Sequence, residues 1–368
     1  MKRSFIAFIL GAAVAAGANA QVTPAAAGTV DDTPSVKVGG TIFADYTYVD
    51  SPTAKDAAGN VIHPSSFNVA RAYINITGNL FHRVSYRITP DVSRETGSGS
   101  SLAGSQNFRL KYAFAQLNLD DWTTHGSWVR FGIQQTPYID FHEGIYRYRF
   151  QGPIFADREG FLPSSDAGIS GRWMFPGGYG DVHAGFYNGE GYNRAEANDE
   201  KAFQLRASVR PLPLGGVWKG LRVTGFYDAD HYLQDAKRTR AILETTFEHD
   251  RVNAGLTYLT ARDQPAANGA TTRAKGWSAW VTPRIYVPND PEQPRGSIEL
   301  LLRHDSLEPN SNSDQKRDRN IAGVSYWLPT PKGVTAAVLL DYDSLKQKNY
   351  SPARPDDTRY GVHILLNF

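Results

Sequence analysis

The sequence predicts an all-β fold, a transmembrane antiparallel β-barrel of about 16 strands with an inward-folded third extracellular loop. Three observations carry this. Segments of roughly 9 to 12 residues alternate between apolar and polar side chains, the length that a tilted membrane strand needs. The links between them are short and long in turn. The last segment alternates as far as a terminal aromatic, Phe368.

Composition supports a sheet in lipid over a bundle of membrane helices. The chain has 368 residues, 41% of them hydrophobic and 21% charged, with a mean hydropathy of −0.42. Beyond residue 20 it has no run of about 18 apolar residues. Aromatics make up 12%, including 19 Tyr and 7 Trp. The absence of cysteine excludes disulfides, thiolate metal sites and cysteine nucleophiles.

Residues 1–20 read as a cleaved secretion signal. Lys2 and Arg3 form the basic start, Phe5 to Val14 the apolar stretch and Ala18-Asn19-Ala20 the cleavage site. The apolar stretch is too short to remain as a membrane helix. Removing it takes two of 39 basic residues and leaves 37, equal to the 37 acidic ones. A neutral mature chain gives no uniform basic field for nucleic acid. Residues 21–35 are small and polar and read as a short periplasmic linker, and 36–368 as the barrel.

The strands follow in order. In 36–48, Val36, Val38, Ile42, Ala44, Tyr46 and Tyr48 oppose Lys37, Thr41, Asp45 and Thr47. In 70–77, Ala72, Ile74 and Ile76 oppose Arg71, Tyr73, Asn75 and Thr77. In 83–89, Val84, Tyr86 and Ile88 oppose Arg83, Ser85, Arg87 and Thr89. The same alternation recurs in 128–134, 203–210, 240–248 and 334–343. A change of face near Ala113 predicts a bulge in 107–119, and 321–328 is weakly patterned. A soluble sandwich would have shorter strands and many core positions free of polar residues. An Arg-rich face opposite an apolar one fits a sheet with lipid outside and water inside.

Short links fall at 78–81, 176–180, 249–251 and 329–332. Long ones fall at 50–66, 92–106, 136–165, 189–201, 262–273, 305–317 and 344–357. Short turns on the periplasmic side and long loops outside are the arrangement of outer-membrane barrels. Tyr46, Tyr48, Trp173, Trp218, Trp277 and Trp327 lie near predicted strand ends and read as interfacial girdles. Tyr360, Val362, Ile364, Leu366 and Phe368 form the last apolar face; Tyr360 and Phe368 bracket the signal read by the barrel-assembly machinery.

The longest link, 136–165, follows the fifth strand and is rich in apolar and aromatic residues. A solvated tip would not carry them, so the link reads as a constriction loop packed on the lumen wall. It brings Asp140, Glu143, Asp157 and Glu159 together with Arg147, Arg149 and Arg158. Arg71, Arg87, Arg109, Lys111, Arg130, Arg172 and Arg206 fall on the inward face of strands two to eight. Rings of Arg and Lys attract anions. The expected function is passive diffusion of small hydrophilic solutes, anionic or neutral, across the outer membrane, with a mild anion preference. No cofactor, metal site or nucleic-acid partner is expected.

Several stretches carry a family resemblance: the opening VKVGGTIFADYTY, then FNVARAYINITGNL, NFRLKYAFAQLNL and SWVRFGIQQTPYIDF, and the closing RYGVHILLNF. Together they resemble the phosphate-selective porin O and porin P family over most of the mature chain. The resemblance implies a 16-stranded barrel, a homotrimer, an inward third loop and an anion path lined by Arg and Lys. The sequence departs from that pattern in its lumen-facing acids, Asp45, Glu244, Glu248, Glu299 and Asp341, and in its neutral charge. The alternative is a barrel enzyme of protease or phospholipase type, with a site at the extracellular rim. Asp230-His231 and His304-Asp305 sit near that rim, on strands four apart.

Overall fold

The computed structural model describes residues 32–95, 99, 101–287 and 296–368. The expected secretion signal, and the linker as far as residue 31, lie outside the described residues. Among the described residues no helix is long and apolar enough to cross a membrane, and the chain is nearly all strand. In chain order the strands are β1 (Ser35–Ser51), β2 (Ala54–Lys55), β3 (Val61–Ile62), β4 (Ser65–Phe81), β5 (Val84–Arg94), β6 (Gln106–Asn118) and β7 (Trp128–Gln135). Two helices follow, α1 (Ile139–Tyr146) and α2 (Phe155–Arg158). Then come β8 (Ser165–Met174), β9 (Gly180–Tyr187), β10 (Ala202–Val209), β11 (Leu221–Leu233), β12 (Ala236–Glu248) and β13 (Val252–Asp263). The last are β14 (Thr272–Tyr286), β15 (Ser297–Glu308), β16 (Lys316–Trp327), β17 (Thr335–Lys348) and β18 (Asp357–Asn367).

β1 and β4 to β18 form a closed antiparallel barrel of 16 strands, each paired with its neighbour in sequence and β1 with β18. β2 and β3 are a small separate hairpin in the first loop. Closure leaves no free sheet edge in lipid, where an unpaired backbone group would go unsatisfied. The seam is fixed at its end by Gly40 N donating to Phe368 O (2.8 Å), Phe368 N to Gly40 O (3.0 Å) and Thr41 Oγ1 to Asn367 Oδ1 (2.7 Å).

The alternation read from the sequence sorts side chains as expected. Val38 is 70% exposed and Phe131 71% on the outer face, while Asn75, Thr77, Arg87 and Arg206 are buried on the inner one. The predicted bulge falls at Lys111, where the β5–β6 register shifts between Thr89 and Pro90. Pro90 has no N–H to give the ladder, so the pairing breaks beside it. Lys111 and Tyr112 consequently both turn inward and are buried.

Two expectations need correction. The alternation of link lengths has exceptions: β11 and β12 are joined by Gln234 and Asp235 alone, and the strands shorten the links predicted at 262–273 and 305–317 to 264–271 and 309–315. Trp327 is not part of a girdle. It is buried on the inner face, and its Nε1 donates to Tyr148 Oη (3.3 Å).

Candidate functional site

The 136–164 segment meets inward residues of β6 and of β10 to β18. Its apolar members Tyr138, Ile139, Ile145, Tyr146, Tyr148, Phe150, Ile154, Phe155 and Leu162 are all buried. They share one apolar cluster with Phe226, Ile242, Leu259, Trp280, Leu301, Leu339 and Leu365 of the wall. These wall residues interrupt the polar inner face, and the loop's aromatics cover them.

Several polar contacts fix the segment to the wall. Glu244 on β12 accepts from Tyr138 Oη (2.5 Å) and Thr257 Oγ1 (3.2 Å) and contacts His142 Nδ1. Glu299 on β15 accepts from Arg147 Nη2 (2.9 Å), Tyr148 Oη (2.9 Å) and Arg284 Nε (2.5 Å). Arg303 holds Asp305 through two nitrogens (2.8 and 2.6 Å) and donates to Tyr146 Oη (3.3 Å) and Pro153 O (3.1 Å). Arg317 contacts Glu159 (2.6 Å). Buried carboxylates paired in this way hold a segment firmly, because losing one partner strands a charge.

The other charged residues of the segment divide in two. Arg149 contacts Glu143 (2.7 Å) and, more loosely, Asp157 (3.6 Å). Asp140 accepts from Tyr112 Oη (3.2 Å), and Arg158 donates to Gln151 (2.9 Å). Burial pushes the Glu143 carboxyl up to about 7, against the pull of Arg149 and Lys111.

All seven bases expected on the inner wall lie there. Asp91 accepts from Arg71 (2.9 Å) and Arg109 (3.2 Å). Asp181 accepts from Arg172 (3.0 Å) and Arg206. The remaining three have no carboxylate contact among the described residues. Arg87 donates to Asn75 (2.8 Å) and Thr89 (2.9 Å) and lies over the Tyr112 ring. Lys111 donates to Tyr73 Oη (3.3 Å). Arg130 donates to Gln116 (2.7 Å) and Gln135 (2.9 Å) and lies 3.8 Å from the Trp128 ring centre. Four of the seven bases thus pair with two carboxylates, Asp91 and Asp181, and three pair with none among the described residues, leaving this set in excess of its carboxylate partners.

An open cavity of about 1000 Å³ lies between the loop tip, residues 149–153, and strands β1, β4, β17 and β18. Of the seven wall bases only Arg71 lines it, joined by Arg149 from the loop and Arg359 from β18. Asp45, Asp341 and Asp343 also line it. Sequence reasoning placed Asp45 and Asp341 on the inner face but did not bring them together with Arg149. That meeting depends on where the loop tip lands, which strand periodicity does not encode.

The residue pairs of the enzyme alternative do not converge. Asp230 on β11 contacts Arg238, while on β15 Asp305 is buried against Arg303. His304 faces the other way, tilted against Trp277 and bonded to Asn320 (2.7 Å).

A closed 16-stranded barrel with a charged lumen is the architecture of outer-membrane porins. The family model for phosphate-selective porin O and P matches residues 36–142, which bears out the resemblance read from the sequence. No curated protein matches the chain. Solved structures agree in fold. The anion-selective porin from Comamonas acidovorans superposes with a TM-score of 0.58 at 14% identity, over 91% of this chain and 100% of that one. The outer-membrane channel DcaP of Acinetobacter baumannii gives 0.56 at 12% identity, over 93% and 100%. The trimer form of OmpT from Vibrio cholerae gives 0.52 at 10%, over 92% and 100%.

Proposed function

We infer that this chain is an outer-membrane porin, a passive diffusion channel for small hydrophilic solutes with a mild preference for anions. The carrying observation is the wall from β4 to β10, where four of seven bases pair with two carboxylates and three have no carboxylate partner among the described residues, around the inside of a closed barrel. A basic lining lowers the energy of an anion in transit and raises that of a cation. The 136–164 segment acts as the constriction loop; its bonds to Glu244, Glu299 and Arg303 support that role. A cleaved signal over residues 1–20, a linker over 21–35, long loops facing outward and a homotrimer in lipid complete the reading. Membrane insertion relies on the barrel-assembly machinery acting on Tyr360 and Phe368.

The test is single-channel conductance of the purified protein in a planar bilayer, with reversal potential in a KCl gradient. Stable steps with an anion-leaning reversal are expected. Arg71, Arg109 and Arg172 keep side-chain exposures of 24%, 30% and 32%, so a solute can reach them. Replacing all three with Ala should move the reversal potential toward the cation side. An unchanged permeability ratio would remove the wall as the source of preference. Added phosphate separates a phosphate-specific channel, blocked at low concentration, from a general one.

A further inference from the structure

We propose that the cavity between the loop tip and β1, β4, β17 and β18 is a slot for compact zwitterionic solutes of the amino-acid or short-peptide class. The proposal rests on the diffusion-channel reading and deepens it. A solute's ammonium group would face Asp45 and Asp341, and its carboxylate Arg71 and Arg149.

The acidic side is a row across three neighbouring strands. Asp45 on β1 stands opposite His363 on β18, and His363 Nε2 lies 3.0 Å from Asp341 Oδ1 on β17. Asp45 makes no ion pair among the described residues; its carboxylate accepts from Thr47 Oγ1 (3.3 Å). The one ion-pair partner of Asp341 there is His363, charged only when protonated. Gly361 keeps this corner open. A Cβ at that position would come within 2.4 Å of both Asp341 Oδ1 and His363 Nε2.

The basic side comes from other elements. Arg71 projects from β4, and Arg149 is brought in by the loop. A guanidinium has five N–H donors, and the one contact of Arg71 with Asp91 uses Nη1. The rest of the lining includes Phe43, Ala70, Phe150 and Pro153, which suit an apolar body between two charged ends. A simple anion must pass Asp45 and Asp341, and a simple cation must pass Arg71 and Arg149. A zwitterion meets both sides with opposite charge.

The full mature protein in a planar bilayer tests this with three probes of similar shape at pH 7. L-phenylalanine is a zwitterion, 3-phenylpropionate an anion and 2-phenylethylamine a cation. L-phenylalanine should interrupt the KCl current at a concentration roughly fivefold below either relative, the weight of one solvated ion pair. Asp45→Asn should abolish that advantage and bring L-phenylalanine level with 3-phenylpropionate. Asp341→Asn should do the same, with heat-modifiable gel mobility confirming a folded barrel. Asp45→Asn disturbs only the Thr47 contact, so it provides the test if Asp341→Asn fails to fold. KCl steps without a zwitterion advantage, or an advantage that survives Asp45→Asn, would overturn the slot alone. An absence of KCl steps from the folded wild-type barrel would overturn the channel reading, and the slot with it.

Discussion

Glu143 shows how burial and charge combine at a single residue. Its carboxyl sits among Arg149, Lys111, Asp157 and Asp140, and burial lifts it to about 7. The carboxylate therefore balances Arg149 above that pH and gains a proton below it. Falling pH then leaves the Arg149 charge beside the cavity balanced only by the looser Asp157 contact at 3.6 Å. The anion/cation permeability ratio should rise as pH drops from 8 to 6, and Glu143→Gln should hold it near the low-pH value throughout. His63 and His363 also line the cavity. The readout is therefore the difference between variant and wild type at each pH. Equal pH profiles for the two proteins would show that Glu143 does not control the charge of Arg149.

At the scale of the element, strand periodicity was legible and loop placement was not. Positions such as Arg206 and Ser208 alternate with Leu205 and Val209 because one face meets lipid and the other does not. The same logic fails at Ile242, Leu339 and Leu365. These inward residues are apolar and buried because loop aromatics cover them. A break in polar alternation on the inner face is therefore the trace that a segment packed against the strands leaves in them. Asp45, Asp341 and Arg149 escaped together for a related reason. Asp45 and Asp341 are 296 residues apart, Asp341 and Arg149 192, and Asp45 and Arg149 104, and only the placement of the loop brings Arg149 to the other two. The loop itself is held partly against backbone preference. Arg147 ends α1 in the left-handed region at φ 66° and is kept there by Glu299. Glu299→Gln leaves Arg147 and Arg284 without their shared counter-charge, at a cost of about 3–5 kcal/mol. The loop should loosen, visible as larger and noisier single-channel currents. Wild-type current noise in the variant would mean that Glu244 and Arg303 suffice to hold the loop.

The whole molecule depends on closing β18 onto β1, the pairing with the largest separation along the chain. Such a pairing bears the greatest loop-closure entropy, so it relies on local features to hold its register. Gly40 and Phe368 supply them. Their backbones exchange two hydrogen bonds, and the Phe368 ring lies over Gly40 so closely that a Cβ there would be 2.6 Å from Cζ. The ring covers the strip of backbone that a glycine leaves bare in a strand. Deleting Phe368 removes the ring and both backbone bonds, and should reduce the heat-modifiable barrel in the outer membrane severalfold. Gly40→Val keeps Phe368 in the sequence but displaces its ring. It should lower the temperature at which the barrel unfolds while still permitting insertion. The pair of variants separates two roles of one residue. If Phe368 serves only as an assembly signal, Gly40→Val will unfold at the wild-type temperature. If it also locks the seam, both variants will unfold early, and only the deletion will lower the amount of barrel in the membrane.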